Sequence, residues 1–232
     1  MGKAIDRIAT EKGHTIVGRI DETNPELLKT INPSDVDVAI EFSRPEAAFK
    51  NISTCLDRGI KMISGTTGWL DRISEVKNIC AGNNGTFLYA SNFSLGVNLF
   101  FAINKTLAKL MAGYEQYEPT LTEIHHTQKL DAPSGTAITL AEGVIEHHPK
   151  KEKWVNESST NEKSLSILSE RIDEVPGTHS VTYDSEMDTI EIKHTAHTRD
   201  SFALGAVLVA EWITKKEGWL TMEDFISIKT DH

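Results

Sequence analysis

The sequence predicts an α/β protein in which a parallel sheet covered by helices is followed by a smaller α+β domain. Three observations carry this. As far as Asn92, short apolar runs alternate with helical patterns through short connections, the rhythm of strand-helix-strand units. After Asn92 the alternation stops, and a helical pattern runs from about Leu95 to Met111. Beyond it, "SLSILSERI", "GTHSVTY" and "DTIEIKHTA" are three period-two stretches, joined by turn residues such as Pro176-Gly177 and Asp184-Ser185. They read as antiparallel strands of a second sheet.

The elements follow in order. Residues 3–12 form an amphipathic helix that stops at Gly13. "HTIVGRI" reads as a strand ending at Asp21, and a short helix lies near "NPELLKTI". "VDVAIEF" is apolar enough for a strand buried on both faces. "RPEAAFKNISTCLDRG" has Pro45 near its start and Gly59 after its end, as a helix prefers. "IKMIS" and "GTFLYAS" are strands on either side of the helix "WLDRISEVKNICAGN". Later, "TLTEIHH" is a strand, about Gly135–His147 a helix, and about Ser201–Lys215 a final helix free to return to the first domain. The expected division is 1–94 for the first domain, with 204–232 returning to it, and 95–203 for the second. No internal repeat is visible.

Bulk properties exclude several function classes. The chain has 232 residues, 39% of them hydrophobic and 25% charged, so it can bury a real core. Its formal net charge of −10 repels phosphate backbones, and no basic patch offsets it, so nucleic acid is not an expected partner. No apolar run approaches the ~20 residues of a membrane span. Cys55 and Cys80 match no metal or redox spacing; two such thiols without a signal peptide suggest a reducing cytoplasm, with both residues in the core.

Ligands of a parallel sheet gather beyond the carboxyl ends of its strands. Asp21 ends a strand there and could accept hydrogen bonds from a ribose diol, although a solvated loop acid looks the same. "GTTG" at Gly65–Gly68 offers backbone access and the hydroxyls of Thr66 and Thr67; "YASNFSLGVN" follows the next strand. Three such loops after consecutive strands make a site more credible than any one of them.

The densest chemistry lies in "EIHHTQKLDAPSGTA", Glu123–Ala137. On a strand, His125 and His126 face opposite sides, so one can meet a cleft while the other orients or packs. Lys129 follows in a loop, where its amine could reach the same cleft or pair with Asp131. Pro133 stiffens the turn. Ser134 suits an N-cap, and Gly135-Thr136 would open a helix whose free N–H groups bind an anion such as a carboxylate. An imidazole, an ammonium and an anion cradle together suit a negatively charged substrate that must receive a proton. The bland alternative is a packed histidine beside a capped helix. A metal site is the rival reading. His125-His126, His147-His148 and His194-x-x-His197 supply imidazoles, but a strand splits H-x-x-H between faces and no H-E-x-x-H appears, so no metal is expected.

The same stretch resembles the signature of the 4-hydroxy-tetrahydrodipicolinate reductase family, also called dihydrodipicolinate reductase. "GTTG" at 65–68, "ASNFSLGVN" at 90–98 and "R-x-x-FALGA" at Arg199–Ala206 stand in the family's order and cover nearly the whole chain. The resemblance implies a Rossmann-like first domain, an α+β second domain whose sheet builds a homotetramer, and reduction of a small dicarboxylate with NADH or NADPH in lysine and diaminopimelate biosynthesis. It implies His125 as proton donor or acceptor and Lys129 as second catalytic proton donor. His126, Gly135 and Thr136 would hold the substrate. Gly65, Thr66, Thr67 and Ala90, Ser91, Asn92 and Phe93 would line the cofactor site, with Asp21 on the ribose. Asp21 and Glu22 favour NADH over NADPH, because a 2′-phosphate would meet their charge. The alternatives are a related reductase of another small dicarboxylate, an inactive homologue and a metal-dependent hydrolase.

One feature departs from the family pattern. A dinucleotide fold opens with a strand and G-x-G-x-x-G. Here Met1-Gly2-Lys3 runs straight into a helix, so Gly2 stands where the third glycine would, as a cofactor contact, and the first strand is missing. The expectation is a longer natural chain, with weak NADH binding and early melting in the form as written; the alternative is a neighbouring segment that fills the gap.

Overall fold

The computed structural model describes residues 1–198 and 200–226 and divides into two compact units. Arg199 of the "R-x-x-FALGA" motif and residues 227–232 lie outside the described residues. One unit comprises Met1–Leu95 and the segment from Asp200 onward; the other comprises Gly96–Arg199.

The first unit holds four parallel strands in the order β1-β2-β3-β9: β1 Ala39–Glu41, β2 Met62–Ser64, β3 Thr86–Tyr89 and β9 Gly218–Leu220. Helices α3 (Pro45–Asp57) and α4 (Ile73–Gly82) cover one face, packing Ile52, Leu56 and Val76 against Met62 and Phe87. Helices α1 (Gly2–Glu11) and α7 (Asp200–Ile213) cover the other, packing Ile5, Ile8, Ala206 and Val209 against Ile63 and Leu88. Met62 and Ile63 therefore point to opposite cores, which is why these strands read as continuous apolar runs. Pro45 occupies the first turn of α3, and Gly13, at φ +88°, follows the end of α1 in the left-handed conformation that glycine tolerates. The Lys61 ammonium donates to the carbonyls of Thr214 and Lys216 at 2.8 and 2.7 Å, where α7 leaves unpaired acceptors.

Two expectations for this unit are corrected. "HTIVGRI" forms no strand. A strand exists through its ladder, and no described segment pairs with residues 14–20; Val17 and Ile20 remain 45% and 39% exposed. Arg19 is held instead by Asp6, at 2.7 and 3.0 Å. "VDVAIEF" yields only the three residues of β1, and Ala39 and Ile40 are half-buried because β1 is an edge strand. The short strand β9 and helix α8 (Met222–Ile226) were not expected.

The second unit is a five-stranded mixed sheet in the order β5-β6-β4-β7-β8, with β4 Glu118–His125, β5 Lys153–Val155, β6 Ser164–Arg171, β7 Gly177–Asp184 and β8 Thr189–Ala196. Helices α5 (Leu95–Met111) and α6 (Gly135–Ile145) supply Phe100, Met111, Leu140 and Val144 to a core with Leu121, Ile167 and Val181. β7 pairs antiparallel with β4 and β8. β6 runs parallel to β4, because the chain returns through α6 as a crossover rather than a hairpin, and this makes the sheet mixed. Period two reveals which face a residue takes, and nothing about the direction of its neighbour. Cys55 and Cys80 are buried and free, and burial pushes the Cys55 thiol up to about 11, so neither is primed for reaction.

Gly205 on α7 has a packing role that a substitution will expose. A Cβ there would lie 1.7 Å from the Phe93 carbonyl oxygen. Gly205→Ala should destabilise the first unit by about 1–3 kcal/mol through overpacking, read as a lower urea midpoint without a change in slope.

Candidate active site

The residues that sequence analysis singled out fall into two groups, one in each unit. In the first unit, three loops leave the carboxyl ends of β1, β2 and β3: Phe42–Arg44, Gly65–Gly68 and Ala90–Ser94. The first two are tied together at Glu41, a buried carboxylate at the end of β1. Its Oε1 accepts from Ser43 N at 3.0 Å, from Thr66 Oγ1 at 2.9 Å and from the Ser43 hydroxyl. Its Oε2 accepts from Ser64 Oγ at 2.6 Å. The Thr66 hydroxyl is thus engaged inside the protein, while Thr67 stands exposed at the loop tip. A Cβ on Gly65 would strike the Phe42 ring at 2.1 Å, so that glycine is required by packing. Ala90 and Phe93 are core residues, Phe93 meeting Phe42 edge-on at 5.5 Å. Ser91 is exposed, and Asn92 Oδ1 accepts from Ser94 N at 2.9 Å.

Asp21 ends no strand. Its Oδ1 accepts from Thr23 N and Thr23 Oγ1 at 2.8 and 2.6 Å, and these bonds hold the carboxyl below its ordinary range. Glu22 pairs with Arg44 at 2.5 Å, a cation that the sequence did not place there. Gly2 opens α1, and nothing lies within 4 Å of where its Cβ would be. Loops at the carboxyl ends of parallel strands, a helix start open to approach and an exposed acid suit a dinucleotide.

The second unit gathers the titratable groups. Period two turns Leu121, Glu123 and His125 to the buried face of β4. The core residue Leu121 thus gives way to charge as the strand approaches its end. Register sets His179 opposite Glu123 on one side and Ser169 on the other, with Arg171 beside His125. Glu123 is fully buried. Its Oε1 lies 3.1 Å from the Arg171 guanidinium; its Oε2 accepts from Ser134 N at 3.1 Å and stands 3.3 Å from His125 Nδ1. Burial alone would raise the Glu123 pKa, but the nearby His125, Ser134, Ser169 and Arg171 outweigh it and hold the carboxyl far below the usual range. Burial and the neighbouring His125 push His179 down to about 4, so it is neutral, and its Nε2 meets Ser134 Oγ at 3.1 Å.

The expected turn is present. Ser134 caps α6, accepting from Ala137 N at 3.2 Å, and the Ala132–Pro133 peptide is cis. The N–H groups of Gly135 and Thr136 have no acceptor within the helix. Lys129 Nζ lies 2.8 Å from both carboxylate oxygens of Asp131, and that pairing is the main reason the Asp131 carboxyl sits low. His126 lies just past the strand, half-buried. Arg171 also donates to the Asp131 carbonyl at 2.7 Å and the Lys129 carbonyl at 3.4 Å, clamping the loop from behind. Sequence reasoning missed Arg171 and His179, and gave Glu123 no role. The available signal was its position two residues before His125, hence on the same face.

Among the described residues, one cluster has the spacing of metal ligands: donor atoms of Glu123, His125 and His179 lie within 4.8 Å of one another. The donor types would suit zinc, but Arg171 and Ser134 already occupy the carboxylate, and a guanidinium 3.1 Å from it opposes a second cation. His147-His148 has a structural use, since His148 Nδ1 accepts from Lys150 N and Lys151 N, each at 3.2 Å. No described helix is long and apolar enough to cross a membrane.

A parallel α/β unit with loops at its strand ends, in one chain with an α+β unit bearing histidines, a lysine and an open helix start, defines a two-domain, dinucleotide-dependent oxidoreductase. The comparisons with known proteins specify it. Residues 1–93 match the family "Dihydrodipicolinate reductase, N-terminus" and residues 96–226 "Dihydrodipicolinate reductase, C-terminus". A 4-hydroxy-tetrahydrodipicolinate reductase from Christiangramia forsetii is 48% identical over 98% of this chain and 94% of its own. Another, from Archaeoglobus fulgidus, is 36% identical over 84% of this chain and 78% of its own. Among solved structures, the dipicolinate-bound dihydrodipicolinate reductase from Paenisporosarcina sp. TG-14 shares the fold, with a TM-score of 0.70 over 94% of this chain and 84% of that one, at 23% identity. The chain belongs to the dihydrodipicolinate reductase family, the NAD(P)H-dependent 4-hydroxy-tetrahydrodipicolinate reductases of lysine biosynthesis.

His179 gives the second unit a pH dependence whose sign is fixed. A histidine held at about 4, against an ordinary value near 6.5, binds fewer protons folded than unfolded between those limits. Its favourable contribution is complete above about 6.5 and is lost as pH falls toward 4, on the order of 3 kcal/mol at most. Urea midpoints measured from pH 7 to pH 4 should fall, and His179→Gln should flatten that slope.

Proposed function

We propose that substrate reduction uses the Glu123–Ala137 segment for proton delivery and carboxylate binding. The observation that carries this reading is the convergence, within one capped turn, of His125, Lys129 and the open N–H groups of Gly135 and Thr136. A dicarboxylate fits such a set. One carboxylate accepts from Gly135 and Thr136 at the positive end of α6. His126 holds the other, and Lys129, exchanging Asp131 for substrate, reaches the reacting nitrogen. His125 and Lys129 supply the proton that accompanies reduction. Bound nicotinamide, when reduced, supplies the hydride.

The cofactor is assigned to Gly2, Asp21, Gly65, Thr66, Thr67, Ala90, Ser91, Asn92 and Phe93. Their internal bonds divide the work. Thr67, Ser91 and the backbone of Gly65–Thr67 face the ligand, while Ala90, Phe93 and the Thr66 hydroxyl fix the loops. The functional domains are taken as 1–94 with 204–232, and 95–203. A homotetramer through the second sheet is supported by that sheet's outer face. Thr120, Thr122, Ser166, Ser180 and Thr182 make its middle rich in hydroxyls, beside a half-exposed Leu168, with Glu170, Glu191 and Lys193 flanking them on the same face.

Two experiments test this reading. His125→Ala and Lys129→Ala should each lower kcat by ~10²–10⁴ with thermal melting close to that of the parent, measured by NADH consumption with substrate generated in place by a preceding synthase. Near-normal turnover in both variants would defeat the assignment. The acids at Asp21 and Glu22 favour NADH, whereas Arg44 pairs with Glu22 and offsets part of that charge. We expect a higher kcat/KM with NADH than with NADPH, and a wider gap in Arg44→Ala. Comparable specificity constants for the two cofactors would count against the preference.

A further inference from the structure

We infer that Glu123 is a positioning residue for proton delivery: its carboxylate orients His125 directly and, through Arg171, fixes the loop that carries Lys129. The inference rests on the reading of His125 and Lys129 given above. Three geometric facts support it. Oε2 of Glu123 stands 3.3 Å from His125 Nδ1, and His125 is itself buried. Nδ1 is buried without an aligned hydrogen bond, and the carboxylate 3.3 Å away is its nearest charge, which favours the proton on Nδ1 and leaves Nε2 as the exchanging nitrogen.

Gly177 leaves space beside Nε2. A Cβ at Gly177 would stand 3.1 Å from that nitrogen. The other carboxylate oxygen holds the Arg171 guanidinium at 3.1 Å, and the same guanidinium nitrogen donates to the Asp131 carbonyl at 2.7 Å. Its Nε reaches the Lys129 carbonyl at 3.4 Å. The backbone on both sides of Leu130 is thus pinned to the group that orients the histidine. His179 is the remaining titratable neighbour. It is occupied by Ser134 Oγ, 3.1 Å from its Nε2, and its ring packs edge-on to His125 at 5.1 Å.

A group that acts through another loses its effect when that other is gone, whereas a structural group does not. Glu123→Gln keeps the size and the acceptor for Ser134 N. In the otherwise native enzyme it should lower kcat by about tenfold or more, with substrate KM within about threefold. In a His125→Gln background it should change kcat by less than about twofold. Equal losses in both backgrounds would overturn the inference. Arg171→Lys, which cannot hold both carbonyls and the carboxylate, should likewise lose its effect in a Lys129→Ala background; additive losses would overturn the loop half.

A measurement on the unmodified enzyme stands apart from any folding defect of the variants. Long-range nitrogen–proton correlation spectra, at a pH where the ring is neutral, should show His125 protonated at Nδ1. The opposite tautomer would overturn the inference. If His125→Gln itself turns over normally, the catalytic reading falls and this inference with it. An inactive His125→Gln with additive Glu123→Gln overturns this inference alone.

Discussion

A carboxylate with no exposure, set in the middle of a sheet, constrains everything around it in the second unit. Taking such a charge out of water costs several kcal/mol unless partners replace the water. Glu123 finds its partners on four elements. They are His125 on its own strand, Arg171 at the end of β6, Ser134 at the start of α6 and, at 3.8 Å, His179 on β7. A slip of one residue in β6 or β7 would turn Arg171 or His179 to the other face and strand the charge. The ion pair therefore specifies register and cap as much as it stabilises them.

The first unit solves a related problem with different chemistry. Glu41 also lies buried at the carboxyl end of a parallel strand, but its donors are the hydroxyls of Ser43, Ser64 and Thr66 and the Ser43 N–H, with no cation among them. Its effect is to lash the Phe42–Arg44 and Gly65–Gly68 loops to the strand ends. Side chains that hold a loop are spent on the protein, as with the Thr66 hydroxyl, and what remains for a ligand is backbone and the exposed Thr67. Ordering a loop in advance lowers the entropy lost when a ligand binds.

Much of this was legible wherever the cause was local. Pro45, Gly13 and Gly59 bound their helices, α5 has the limits its apolar pattern marks, and the Ser134 cap and the Lys129–Asp131 pair are present as the spacing suggested. What was not legible depends on partners distant in sequence. Arg171 stands 48 residues beyond Glu123, and nothing near it marks it as a clamp. The direction of β6 follows from a crossover through α6, which period two does not encode. "HTIVGRI" has a strand's pattern without a ladder partner among the described residues, and pattern alone does not make a strand.

The crowding of titratable groups between Glu123 and Ala137 has a physical origin in strand, turn and cap. Period two sends Glu123 and His125 inward, while His126, just past the strand, is only half-buried. A turn closed by Lys129 N on the His126 carbonyl brings the lysine back beside the strand end. The next turn ends in Ser134, whose side chain caps α6 and whose N–H returns to Glu123, closing an 11-residue loop on the carboxylate where it began. Because both ends of that loop meet one buried anion, the histidine, the lysine and the helix N-terminus cannot move independently. Catalysis by positioned groups depends on such rigidity, since displacements of ~1 Å cost orders of magnitude in rate. Sequence proximity here is thus what lets a single buried charge hold His125, Lys129 and the start of α6 in one geometry.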